Sequence, residues 1–130
     1  MIDPIETRIS HLFDLLQQPT RVHILLIIRE QPACVCHLVA ALGLRQASIS
    51  QHLMVLRKAG WVTTQREGRN IYYSLSDPRL ITLFEQAALV TGVRVDDLNR
   101  YALRPLPGCP CPQCNPDLPA DYSCTDLAKK

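Results

Sequence analysis

Apolar residues recur every three or four positions through the first hundred residues, and the rhythm breaks where glycine or proline intervenes. Ile9, Leu12, Phe13 and Leu16 set the phase of an opening amphipathic helix over about residues 4–17. Gln18-Pro19-Thr20 interrupts it, and Thr20 is placed to cap a second helix reaching about residue 29, carried by Val22, Leu25, Leu26 and Ile28. Pro32 suits the first turn of a third helix that holds Cys34, Cys36, Leu38, Val39 and Leu42 and is stopped by Gly43. A fourth helix over about residues 46–58 buries Ile49, Leu53 and Leu56 and ends at Gly60.

The period then changes. Residues 61–66 and 70–75 are rich in Val, Thr, Ile and Tyr and flank Glu67-Gly68-Arg69, which predicts a β-hairpin with a charged tip. Asp77 and Pro78 begin a fifth helix to about Val90, with Leu80, Leu83, Phe84 and Ala87 inward, and a short sixth helix is expected from Val95 to Tyr101. Two short helices joined by a glycine-containing turn form a helix-turn-helix, and a hairpin directly after it is a wing. The expected fold is mainly α with a β-hairpin wing, a winged helix-turn-helix in the order α-α-α-α-β-β-α.

Beyond Leu103 the periodicity vanishes. Six of the ten prolines lie between Pro105 and Pro119, so residues 105–130 read as an extended or mobile tail behind a folded unit of residues 1–104. A chain of 130 residues, 47% hydrophobic and 20% charged, has room for one core plus this tail. The apolar run from Ile24 to Ile28 is far too short to span a bilayer, and Asp3, Pro4 and Glu6 stand where a signal segment needs basic residues. A cytoplasmic location without membrane association is expected.

Net charge is only +2, so the position of the positive groups carries the argument. The fourth helix opens Gln46-Ala47-Ser48-Ile49-Ser50-Gln51-His52, with Ile49 and Leu53 inward and short polar or amide side chains on the other face. Glutamine can grip adenine through two hydrogen bonds, and serine can donate or accept at bases and phosphates. The start of the second helix of a helix-turn-helix is the end that enters the major groove. Arg45, Gln46, Ser48, Ser50, Gln51 and His52 are therefore the candidate reading residues, with Arg66 and Arg69 at the wing tip as phosphate or minor-groove contacts. One such unit makes few phosphate contacts, so a homodimer on double-stranded DNA with an inverted repeat is expected, joined through the apolar faces of the first and fifth helices.

Six cysteines in a compartment that keeps thiols reduced point to metal or redox chemistry rather than to a disulfide framework. Cys34-Val35-Cys36 is one group and Cys109-Pro110-Cys111-Pro112-Gln113-Cys114 another, while Cys124 stands alone and is left unassigned. On a regular helix, residues two apart diverge by roughly 200°. A shared ion at Cys34 and Cys36 would therefore unwind the helix supporting the reading helix, and the helix N-terminus would favour thiolate there. His37 is expected to face solvent. Three tail thiols held extended by prolines suit a soft metal. No nucleophile–base pair, phosphate loop or paired carboxylates stand at useful spacing, and Cys-Val-Cys lacks the separation of a thioredoxin-like motif, so an enzyme and an organic cofactor are not expected.

Five stretches together resemble the ArsR/SmtB family of metal-responsive repressors: Pro19-Thr20-Arg21-Val22-His23-Ile24-Leu25, Ala33-Cys34-Val35-Cys36-His37-Leu38, Ser48-Ile49-Ser50-Gln51-His52-Leu53, Leu56-Arg57-Lys58-Ala59-Gly60-Trp61-Val62, and Arg66-Glu67-Gly68-Arg69-Asn70-Ile71-Tyr72-Tyr73. The likeness covers about residues 19–90 and implies a homodimeric winged-helix repressor released from its operator by an inducer. Cys34-Val35-Cys36 is similar to the pair in arsenite/antimonite and cadmium/lead sensors, which would make Cys34 and Cys36 inducer ligands. The third cysteine common in arsenite sensors is replaced by Val39, and no cysteine precedes Cys34. The zinc site that some members carry on the fifth helix finds Asp77 but Arg79 in place of a histidine. Further ligands would come from Cys109, Cys111 or Cys114, with As(III) or Sb(III) as the favoured inducer and Cd(II) or Pb(II) as the other choice. Two rival readings use the same fold: a repressor answering thiol oxidation or persulfides, and a constitutive DNA-binding protein with structural zinc.

Overall fold

A computed structural model of the chain describes residues 4–119. Its elements run α1 (Ile5–Leu15), α2 (Pro19–Ile28), β1 (Ala33–Cys34), α3 (Val35–Leu42), α4 (Gln46–Lys58), β2 (Val62–Glu67), β3 (Asn70–Leu75), α5 (Arg79–Val90) and a 3₁₀ helix (Val95–Ala102). This is the expected winged helix-turn-helix with one strand added. β3 lies between β2 and β1 in a three-stranded antiparallel sheet.

The core forms where the apolar stripes meet. α2 is the central helix, with Ile24, Leu25, Ile27 and Ile28 all buried, so it is apolar nearly all round. Around it pack Leu38 of α3, Ile49, Leu53 and Leu56 of α4, Val62 of β2, and Leu80 and Phe84 of α5. Burying side chains of this size stabilises the fold by about 1.5–3 kcal/mol each. Gly43 ends α3 with φ +68°, a left-handed conformation that glycine adopts without a Cβ penalty, and three residues later α4 begins. Gly68, with φ +60°, turns the hairpin between Glu67 and Asn70.

Several local expectations change. Pro19 rather than Thr20 opens α2, because a proline's missing N–H costs nothing in a first turn. α5 buries Ala88 in place of Ala87, one step round the helix. Asp77 caps that helix through the N–H of Arg79, which its carboxylate accepts at 2.9 Å. The last short helix is 3₁₀.

The largest correction concerns the third helix, which starts at Val35 and leaves Cys34 outside it. Ala33 and Cys34 pair with Tyr73 and Tyr72 of β3, and Cys34 has extended backbone at φ −85° and ψ 166°. The 200° divergence expected of two helical cysteines does not apply, and no unwinding is needed for Cys34 to turn its thiol away from Cys36. A second correction concerns the tail. Its prolines remove periodicity, yet residues 106–118 fold through turns and pack on β1 and β3. Cys109, Cys111 and Cys114 are buried with Cys34 and Tyr72 in a cluster separate from the main core.

Candidate metal centre and nucleic-acid interface

The tail reaches this cluster because its backbone is held at both sides. Cys109 N–H donates to Leu106 O at 3.1 Å, and the N–H groups of Cys114 and Asn115 both return to Cys111 O. Asn115 Nδ2 donates to Cys109 O at 2.7 Å and to Cys111 O at 3.0 Å, tying the loop to itself. Gln113 Nε2 donates to Pro32 O at 2.9 Å, and Arg104 reaches Gln31 O at 3.5 Å, tying the loop to the segment before β1.

Between this loop and α3 the donor atoms of His37, Cys109, Cys111 and Cys114 all lie within 4.8 Å of one another. His37 was expected in solvent; it is 1% exposed, because the tail covers the face of α3 beside Leu38. Its Nδ1 sits 3.3 Å from Cys114 Sγ. Cys109 Sγ donates to Cys111 Sγ at 3.2 Å, and the Leu106 N–H points at Cys114 Sγ from 3.3 Å.

The thiols share charge unevenly. Hydrogen bonds from Cys109 and Cys34 hold Cys111 far below an ordinary thiol. Cys109 is raised by its bonds to Cys111 and Cys34 and then by burial. For Cys34 the bond to Cys109 favours thiolate, but the bond to Cys111 and burial outweigh it and push the group up to about 11. Burial raises Cys114 and, with the neighbouring sulfur charges, pushes Tyr72 up to about 12. The half-buried Arg104 guanidinium is lowered by desolvation and held up by the charges of Cys114, Cys111 and Cys109. Three cysteines and an imidazole with one cation beside them form a donor set that fits a soft or borderline metal ion.

Of the five sequence-predicted cysteine ligands, Cys109, Cys111 and Cys114 converge. Cys34 touches Cys109 and Cys111 from β1. Cys36, half-buried against the cluster, is disulfide-bonded and so offers no free thiolate, which corrects both its place among the expected ligands and the expectation that the cysteines form no disulfide. Cys124 lies outside the described residues. The sequence predicts His37 in solvent, yet its place beside a Cys-x-Cys pair is the signal that could have found it as a donor.

The second surface lies at the other end of α3. Arg45, Gln46, Ser50 and Gln51 are exposed on the first turns of α4, and Arg66 and Arg69 are exposed at the wing tip. Ser48 and His52 are half-buried. His52 turns toward α2, where its Nδ1 accepts from Arg21 Nε at 3.3 Å. Burial first, then the Arg21 charge, lowers the His52 pKa and keeps the ring neutral.

A recognition helix set behind a glycine turn, with its polar face outward and a charged hairpin alongside, defines a winged-helix regulator of the DNA-binding type. The family model described as bacterial regulatory protein, arsR family, matches residues 18–64. The transcriptional repressor SmtB of Mycobacterium tuberculosis is 42% identical over 77 residues, which is 59% of this chain and 57% of that protein. The arsenic resistance regulator ArsR1 of Pseudomonas putida is 47% identical over 64 residues, 48% of this chain and 50% of its own length. The regulator Rv0081 of M. tuberculosis is 33% identical over 96 residues, 73% of this chain and 84% of that one. Its crystal structure superposes with a TM-score of 0.64 at 32% identity, covering 70% of this chain and 92% of that one. The chain belongs to the arsR family of bacterial regulatory proteins, whose relatives named here are transcriptional regulators and not enzymes. The match spans 57–61% of the length of the SmtB relatives. Among the described residues no helix is long and apolar enough to cross a membrane.

Proposed function

We propose that the protein is a transcriptional repressor that binds operator DNA as a homodimer and releases it when the buried thiol nest captures a soft metal or metalloid ion. The observation that carries the reading is the convergence of three tail thiols and His37 beneath the strand that bears Cys34. Relatives named as SmtB repressors and as an arsenic resistance regulator support the same class. Arsenite or antimonite and cadmium or lead are the inducers that Cys34, Cys109, Cys111 and Cys114 suit by softness. Cys36 borders this nest, and the reading does not require it as a ligand.

The route from nest to DNA runs through the sheet. Cys34 pairs with Tyr72; the next residue of β3, Ile71, stands opposite Arg66, and Arg69 lies in the turn just before β3. An ion that draws Cys34 toward Cys109 and Cys111 pulls on β3 and on α3, which packs on the reading helix. Two apolar stripes supply the dimer surface: Ile5, Ile9 and Phe13 along one face of α1, and Leu89 and Val90 at the end of α5. Exposed large side chains at four-residue spacing are costly unless a partner covers them.

The test uses a binding site selected from random duplex DNA. Arsenite and cadmium should each be titrated into the reduced protein–DNA complex and release followed by fluorescence anisotropy. The unaltered chain should let go, and a Cys109→Ser/Cys111→Ser/Cys114→Ser variant should hold the same DNA through the titration. Release of the triple variant at the same ion concentration would refute the reading. If instead mild oxidant alone releases DNA, the 3.2 Å approach of Cys109 and Cys111 sulfurs makes a thiol redox switch the better account.

A further inference from the structure

We infer that the nest is a closed site of three cysteines and one histidine, built by Cys109, Cys111, Cys114 and His37 for a divalent ion of the zinc–cadmium class. The inference deepens the metal reading above and rests on it: it names the fourth ligand, and with that ligand the charge and geometry of the ion.

Geometry comes first. A tetrahedral centre with zinc–sulfur bonds of about 2.3 Å spaces its ligand atoms roughly 3.8 Å apart. The four donor atoms already lie within 4.8 Å of one another, so the set closes on an ion with movements of about an ångström or less. Three ligands come from one loop and the fourth from α3, so the ion would clasp the tail to the helix that supports the reading helix. All four side chains are buried, which leaves no open coordination position and matches the pattern of closed sites.

Chemistry separates the two classes of ion. A trivalent metalloid completes its bonding with three thiolates and keeps a lone pair in the fourth direction, so it has no use for an imidazole. A borderline divalent ion takes imidazole and thiolate together. His37 is 1% exposed with its Nδ1 on Cys114 Sγ, where packing alone has no need of a polar ring. Charge points the same way. Three thiolates around a divalent ion leave one negative charge, whereas around a trivalent ion they leave none. The Arg104 guanidinium lies in the field of these sulfurs, and its Nε is buried with no hydrogen-bond partner among the described residues. It supplies the counter-charge that only the divalent assembly needs. Cys34, on Cys109 and Cys111 but outside the four, is then not a ligand and is left to carry the link to β3.

The experiment takes the full chain, reduced and stripped with a chelator. Co(II) is titrated as the optical stand-in, Zn(II) and Cd(II) by competition, and arsenite separately, with sulfur and nitrogen neighbours counted by X-ray absorption. One Co(II) per chain in tetrahedral coordination with three sulfurs and one nitrogen is expected. His37→Gln should weaken Zn(II) binding by more than the roughly 10–100-fold that losing a mere outer-shell partner costs, and leave arsenite capture unchanged. His37→Cys should restore Zn(II) binding with four sulfurs, which separates loss of a ligand from loss of fold. Zn(II) held by four sulfurs in the unaltered chain, or a His37→Gln variant that binds it as tightly, overturns the ligand assignment. Arsenite capture with no divalent uptake overturns the ion class. Both of those leave the thiol sensor standing; failure of the reduced chain to hold any of the ions sinks the metal reading itself.

Discussion

The reading helix α4 keeps its carbon inside and its chemistry outside, whereas the tail buries the chemistry of Cys109–Cys114 and shows the prolines that flank it to solvent. On α4, Ile49, Leu53 and Leu56 lock the helix against α2, and Gln46, Ser50 and Gln51 stay wet. In the tail, three thiols are nearly inaccessible, while Pro107, Pro116 and Pro119 are exposed. The first arrangement is stable by itself, because burial of apolar area drives it and water satisfies the polar face. The second has little apolar area to bury and concentrates thiol charge away from water, which is costly without a compensating cation. A region built like α4 is always ready to bind. A region built like the tail is finished by what it binds.

The largest test of that contrast is stability. Leu53→Ala should remove about 2–5 kcal/mol from the unfolding free energy measured by urea denaturation, since its side chain is 2% exposed in the main core. In the reduced, ion-free chain Cys111→Ala, although more deeply buried, should cost far less, because it deletes a single sulfur from a small cluster and leaves the main core intact. Equal losses from the two variants would mean that the tail is core in its own right, and the contrast would collapse.

Next in size is the reading of DNA. Gln46→Ala should weaken binding to the selected site by about 1–3 kcal/mol and relax the base preference at one position of each half-site, read by competition binding against single-base variants. A uniform loss over all sequences would move Gln46 from base reading to phosphate contact.

This contrast also explains what could be read from the residues in order. The bounds of α4, Gln46–Lys58, follow from the spacing of Ile49, Leu53 and Leu56, because the helix buries one stripe and the stripe repeats every turn. The wing and the Gly43 stop are equally local. The pattern predicts a helix at Cys34 because a two-residue strand has too few positions to display a period of two; only its pairing with Tyr72 across the fold makes it a strand. The sequence places His37 in solvent because the group that covers it is more than seventy residues away in the chain. Prolines hid the tail for a related reason. They abolish periodicity, and the turns that replace it are held by Asn115 and Gln113, whose amides bond to backbone rather than to an apolar partner. The three tail thiols were still legible as chemistry, since their spacing and softness need no fold to be recognised.

The smallest expected effect bears on how the two regions are joined. Gln113 Nε2 donates to Pro32 O at 2.9 Å, one residue before β1, while its Oε1 is buried with no partner among the described residues. Gln113→Met keeps the length of the side chain and removes both the made bond and the unmet acceptor. The two changes oppose each other, so global stability should move by no more than about 0.5–1.5 kcal/mol. Local behaviour should differ. With the tether gone, the tail should open more often without unfolding the helices, and amide exchange of Cys109 and Cys114 should quicken in the ion-free chain while that of Leu53 and Leu56 stays put. Adding the ion should slow the tail amides again in this variant, because the metal would replace the lost tether with a stronger one. Exchange that quickens in α4 and the tail together would show that the tail opens only when the whole domain does.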